Sequence, residues 1–168
     1  MKRVKKAVCL VLAALILAAG FGCSGGGSAD EPQIDLSELR EAMMGVDTTL
    51  PEMVVKTSED GDAKNNFFFL SDMDYGKVEG YFYAFADAGT AEEIAVVVLK
   101  NKSDAAAMME SLHDHVDARQ GTFEEYDPEQ VPLTESAVII HEGRYVALIV
   151  SKKNGLVQNT FREFFTTD

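Results

Sequence analysis

A chain of 168 residues with 15 basic and 28 acidic side chains has a formal net charge of −13. It is long enough for one domain that buries roughly two-thirds of its unfolded surface, and acidic enough to repel nucleic acid and anionic headgroups rather than bind them. The two cysteines are Cys9 and Cys23, both near the N-terminus, so the rest of the chain has no disulfide, no thiolate metal site and no cysteine nucleophile.

Residues 1–6 include Lys2, Arg3, Lys5 and Lys6, and residues 7–19 are an apolar run without charge. That run is shorter than the roughly 20 residues of a membrane span and has the layout of a signal peptide. Gly20-Phe21-Gly22-Cys23 resembles the lipobox of bacterial lipoproteins, where small residues precede a cysteine that is lipid-modified and becomes N-terminal. Gly20 occupies the place usually held by leucine. Residues 1–22 are thus expected to be a signal peptide and Cys23 a lipidation site; an ordinary secretory signal is the simpler alternative. Loss of those four of the 15 basic residues leaves 11 against 28 acids, a charge of −17. Residues 23–34 read as a Gly- and Ser-rich linker, ten residues of which span about 15–20 Å, and residues 35–168 as the single domain.

Within the domain, Asp35 is placed to cap a first helix that turns Leu36, Leu39, Met43 and Val46 inward, with Gly45 weakening its end. Residues 51–56 read as extended and residues 58–62 as a polar turn; a faint calcium-loop pattern there lacks the distal Glu ligand. Phe67-Phe68-Phe69-Leu70 reads as a short helical turn. Three adjacent phenylalanines cannot share one direction, so core packing of all three competes with exposure of at least one. Residues 79–86 alternate as a strand, with Tyr81, Tyr83 and Phe85 on one face. A turn at residues 87–90 leads into Ile94-Ala95-Val96-Val97-Val98-Leu99, apolar on both faces and therefore expected inside a sheet, with Glu92 and Lys100 marking the return to water.

Ser103 is expected to cap the next helix, on which Ala105, Met108, Met109, Leu112 and Val116 form one stripe, and Gly121 to stop it. Residues 121–136, with Pro128 and Pro132, read as a long irregular loop. Residues 137–141 and 144–151 form a second hairpin about Glu142-Gly143, and residues 156–165 a closing helix with Val157, Phe161 and Phe164 or Phe165 inward. The order predicts an α+β domain: an antiparallel-rich sheet of two hairpins joined by a helix, with N- and C-terminal helices packed on the sheet.

Glu93-Ile94-Ala95-Val96 with the helix after it, Phe123-Glu124-Glu125-Tyr126-Asp127-Pro128-Glu129, and Gly143-Arg144-Tyr145-Val146 together resemble the domain of unknown function 4358 family of Gram-positive bacterial lipoproteins. The resemblance covers about residues 36–165. It implies a surface lipoprotein and supplies no activity, substrate, cofactor or catalytic residue.

Nothing catalytic is legible. Ser-x-x-Lys, His-Glu-x-x-His and a phosphate-binding glycine loop are absent from the sequence, and Gly-x-Ser-x-Gly occurs only at residues 22–26, across the expected cleavage site and linker rather than in the domain. His113 and His115 lie about 200° apart on a helix and cannot share a metal. His113 and Asp117 have the spacing of a metal pair, which a surface hydrogen bond explains more simply. No metal or cofactor is therefore expected. The candidate interaction surface is Phe123 with Tyr126: either both aromatics staple the loop to the core, or Tyr126 anchors a partner within an acidic rim. Two function classes stay open. One is a membrane-tethered extracytoplasmic binding or interaction module on the outer face, with the membrane and an envelope protein or ligand as partners and no nucleic acid. The other is an envelope enzyme using scattered carboxylates. If Cys23 is not lipidated, the protein is secreted.

Overall fold

The structure, a computed structural model, describes residues 33–166. The expected signal peptide, Cys23 and nearly all of the expected linker lie outside them. Among the described residues, five strands form one sheet in the order β1-β2-β3-β5-β4, with β1 Met53–Thr57, β2 Val78–Ala86, β3 Glu93–Leu99, β4 Val138–Glu142 and β5 Tyr145–Val150. Every neighbouring pair is antiparallel. The helices are α1 Leu36–Gly45, α2 Ala63–Phe67, α3 Ala105–Tyr126, α4 Val131–Glu135 and α5 Asn154–Glu163. The expected α+β architecture of two hairpins joined by a helix is what forms, with β1 added as an edge strand.

β3 is the middle strand and all seven of its residues are buried. Ala95, Val97 and Leu99 face a core shared with Met108, Leu112 and Val116 of α3. Ile94, Val96 and Val98 face a second core shared with Leu39 and Met43 of α1 and Val157 and Phe161 of α5. Helices cover both faces of the sheet, which is why the strand has no polar face. Each of these side chains larger than alanine contributes about 1.5–3 kcal/mol of hydrophobic stabilisation.

Local chemistry places the outer helices. Asp35 accepts from the backbone N–H of Ser37 at 2.8 Å and of Glu38 at 3.3 Å, the cap expected from sequence. Val46, expected inward, lies just past the end of α1 and is exposed. Ile34 already packs on the second core, and its N–H donates to the Tyr145 hydroxyl at 3.2 Å. After α2 the chain turns so that Phe67 and Leu70 are buried while Phe68 and Phe69 point outward, 51% and 74% exposed. Gly80 lets α1 approach the sheet: a Cβ there would stand 3.2 Å from Leu36 Cδ1.

Four expectations need correction. Ser103 is not the cap of α3 but sits in a 3-10 turn, Lys102–Asp104, that leads into it. Gly121 does not stop the helix, which runs 22 residues, about 33 Å. Phe123, beyond the glycine, is buried, and that burial outweighs the roughly 1 kcal/mol propensity cost of one glycine. Residues 121–136 are consequently helical for most of their length. Pro128 and Pro132 occupy first-turn positions of the 3-10 turn Pro128–Gln130 and of α4, where a missing N–H costs nothing. The second hairpin turns at Gly143-Arg144, one residue later than expected, because Glu142 still pairs with Tyr145; Gly143 takes the positive φ of 56°.

Gly121 is exposed with nothing near its missing Cβ. Gly121→Ala is therefore expected to stabilise the protein by about 0.5–1 kcal/mol, read as a melting temperature raised by a few degrees. A lowered melting temperature would contradict a continuous α3.

Asp47, after α1, is buried and ties this end of the chain to the start of α5: Ser151 Oγ donates to its carboxylate, as does the Thr49 N–H at 2.8 Å. Burial alone would raise this carboxyl, but the bonds from Ser151 and Thr49, with the charge of Lys153, outweigh it and hold it below its ordinary 3.8. The unfolded chain thus protonates first on acidification. The stabilisation is complete above 3.8 and is lost as pH falls through the lower folded value. Asp47→Asn is expected to flatten the fall in denaturant midpoint between about pH 5 and pH 2; an unchanged slope would place the acid sensitivity elsewhere.

Candidate functional site

The first residue of β3 is a carboxylate, Glu93, and it is 1% exposed. Its position in the alternation is that of Ala95 and Val97, so it faces α3. Three groups answer it. On β2, Phe85 lies directly opposite Glu93, and Tyr83, two residues away on the same face, donates its hydroxyl to Oε2 at 2.8 Å. On α3, His115 and Arg119 are one turn apart. His115 Nε2 lies 3.0 Å from Oε2 and 3.2 Å from Oε1, and Arg119 Nε lies 3.4 Å from Oε1. Nε2 is thus the ring nitrogen that faces the carboxylate. Burial, followed by the adjacent Glu93 charge, pushes the Tyr83 hydroxyl far above its usual range. It therefore stays a neutral donor.

Two further contacts hold Arg119, while its buried Nε makes an ion pair with Glu93 but no hydrogen bond among the described residues. Nη2 donates to the Thr90 carbonyl at 3.2 Å, and the guanidinium lies 5.3 Å from the Phe123 ring. Glu92, next to Glu93, is buried as well. Thr90 Oγ1 donates to it at 2.6 Å and Lys152 Nζ pairs with it at 3.0 Å. Burial raises the Glu92 carboxyl, yet these partners together bring it below its ordinary 4.5.

Over this network lies a cleft of about 500 Å³, within the size range of small-molecule sites. Lys56 of β1 forms one wall, directly across the strand pair from Tyr83. Asn66 and Phe69 close one end, Tyr83 and Phe85 form the floor, and His115, Ala118, Arg119 and Thr122 line the α3 side. No acidic side chain is among them; Glu93 lies beside Tyr83 and Phe85 on the same face of the sheet, its oxygens engaged. Chemically this is an aromatic cleft with a basic side.

The residues singled out from sequence lie apart from one another. Phe123 is buried beneath Arg119, whereas Tyr126, 80% exposed, ends α3 and does not line the cleft. His113, Asp117 and His141 are exposed. Among the described residues no group of three or more His, Cys, Asp or Glu is placed to hold a metal ion. Glu92, expected where water returns, is buried instead, because the turn before it and Lys152 after β5 supply its partners. The network itself went unread in the sequence. The clue was phase: His115 and Arg119 extend the stripe of Met108 and Leu112, while His113 and Asp117 fall outside it.

Glu93→Ala leaves the Arg119 charge without its buried partner and is expected to cost about 3–5 kcal/mol in chemical denaturation. Tyr83→Phe removes one donor of several and should cost about 1 kcal/mol. Equal, small losses would show that Glu93 does not organise this region.

Among the described residues no helix is long and apolar enough to cross a membrane. No curated protein and no solved structure matches the chain. A family model described as a domain of unknown function (DUF4358) matches residues 53–151, a stretch that holds the whole sheet, α3 and every residue of the Glu93 network. The chain belongs to this family, DUF4358.

Proposed function

We propose that the protein is a membrane-tethered extracytoplasmic binding module, lipidated at Cys23, whose cleft between α3 and the β1-β2 edge receives a small ligand. The observation that carries the binding role is the cleft itself: about 500 Å³, aromatic on its floor and basic on one side. Tyr83, His115 and Arg119 are fixed in advance by Glu93, so little ordering of that side is required on binding. The envelope address rests on the basic and apolar N-terminal run and on the residues before Cys23. An enzyme working through scattered carboxylates has less support. Glu93 is the carboxylate next to the cleft, and Tyr83, His115 and Arg119 already occupy its oxygens.

Two measurements test this reading. Cys23→Ser should abolish labelling by a palmitate analogue and release the protein to the medium; a variant that stays membrane-bound and labelled removes the lipoprotein half. Ala118 is exposed on α3 and lines the cleft, so Ala118→Trp should fill it without entering the core. In ligand-observed NMR with a mixed fragment library, fragments that bind the native protein should lose binding to Ala118→Trp at unchanged melting temperature. Fragments that bind both equally would remove the cleft as the site.

A further inference from the structure

We infer that the ligand of this cleft is an organic carboxylate, a monoanion with an aromatic or similarly flat apolar body; this rests on the binding reading above. The sequence has 28 acidic and 15 basic residues, yet the charged side chains lining the cleft are Lys56 and Arg119, with His115 beside them. A surface drawn at random from this composition would be acidic. Arg119 is neutralised by Glu93 at 3.4 Å. Lys56 is half-buried and has no ion pair among the described residues. Lys56 and Arg119 set against Glu93 leave one positive charge of fixed sign, which matches a carboxylate and is half of what a phosphate monoester carries near neutral pH.

The geometry favours the same class. The guanidinium is immobilised by Thr90 and Phe123, and a planar fork fixed in advance suits a planar carboxylate. The apolar body has its own partners. Phe85 is half-buried on the floor, and Phe69 stands 74% exposed at the rim. A phenylalanine that exposed, beside an apolar floor, gains by covering a bound ring. Lys56 lies across the strand pair from Tyr83 on the sheet and Arg119 on α3, and both line this one cleft, so a single head group is offered both side chains.

The probes are 3-phenylpropionate, its primary amide, the matching amine and phenethyl phosphate, titrated into the mature protein and followed by backbone amide NMR shifts. The acid is expected to shift resonances of Lys56, Phe69, Phe85 and Arg119, at least tenfold more tightly than the amide, with the amine not binding. Lys56→Glu should abolish binding of the acid and Lys56→Ala weaken it about five- to tenfold, both at unchanged melting temperature. Equal binding of acid and amide, insensitivity to Lys56→Glu, or tighter binding of the phosphate would each overturn the carboxylate assignment while leaving a binding cleft intact. If none of the probes, nor any fragment of the mixed library, shifts these resonances, both the carboxylate and the binding reading fall.

Discussion

A carboxylate at the head of the innermost strand, sealed from water, constrains much of this structure. An ion there costs several kcal/mol unless it is answered by charge and hydrogen bonds. Glu93 has no answer within its own strand. The partners come from Tyr83 on β2 and from His115 and Arg119 on α3. Hydrophobic burial lets a helix slide and roll on a sheet at modest cost. A buried ion with directional donors does not, so the turn of α3 that carries residues 115 and 119 is pinned over the start of β3. The first part of the helix then lays its own Met108, Leu112 and Val116 on the sheet, and the last turns carry Phe123 in under Arg119. The cleft is the space that remains between the pinned turn, β2 and the edge strand β1.

The two faces of the sheet divide the work. Toward α1 and α5 the core is nearly pure hydrocarbon and aromatic ring: Leu39, Met43, Phe82, Ile94, Val96, Ile149, Val157 and Phe161. Toward α3 it holds two buried tyrosines and the Glu93 network among its apolar contacts. The matched family stretch of residues 53–151 contains the second face entire but stops short of α1 and α5. Without those helices Phe82, Ile94 and Ile149 would be left in water, so the physical domain is larger than the matched stretch. The helices outside it act as a cover for one face, and the chemistry lies on the other.

Strand periodicity was legible because it depends on burial alone: β3 is apolar on both faces because helices cover both, and the pattern of Tyr81, Tyr83 and Phe85 on β2 needs no partner to be recognised. Punctuation was less reliable. Gly121 and Pro128 are read as breaks by local rules, yet both lie in helical segments, since the burial of Phe123 decides the path of the chain there. The same limit hid the site. Glu93 and Glu92 read as ordinary strand-end acids, for the groups that bury and satisfy them come from residues 83, 90, 115, 119 and 152, and no local pattern links positions so far apart. His115 and Arg119 fall in the phase of the apolar stripe, a mismatch that the reading of the sequence passed over.

The charge of the cleft follows from the same buried acid. At physiological ionic strength fields decay over about 8 Å, so the many surface carboxylates have little hold on a ligand inside, and the nearest groups decide. Arg119 and Lys56 alone would make a dicationic cleft suited to phosphate-like dianions. Glu93, by pairing with Arg119, removes one of those charges without occupying the cleft, and at the same time locks the guanidinium in place. One residue thus sets the position of α3, the orientation of two basic side chains and the net charge offered to a ligand. Substitution at Glu93 therefore cannot separate stability from binding, whereas Lys56, on the edge strand and outside the network, can be changed with the fold left as it is.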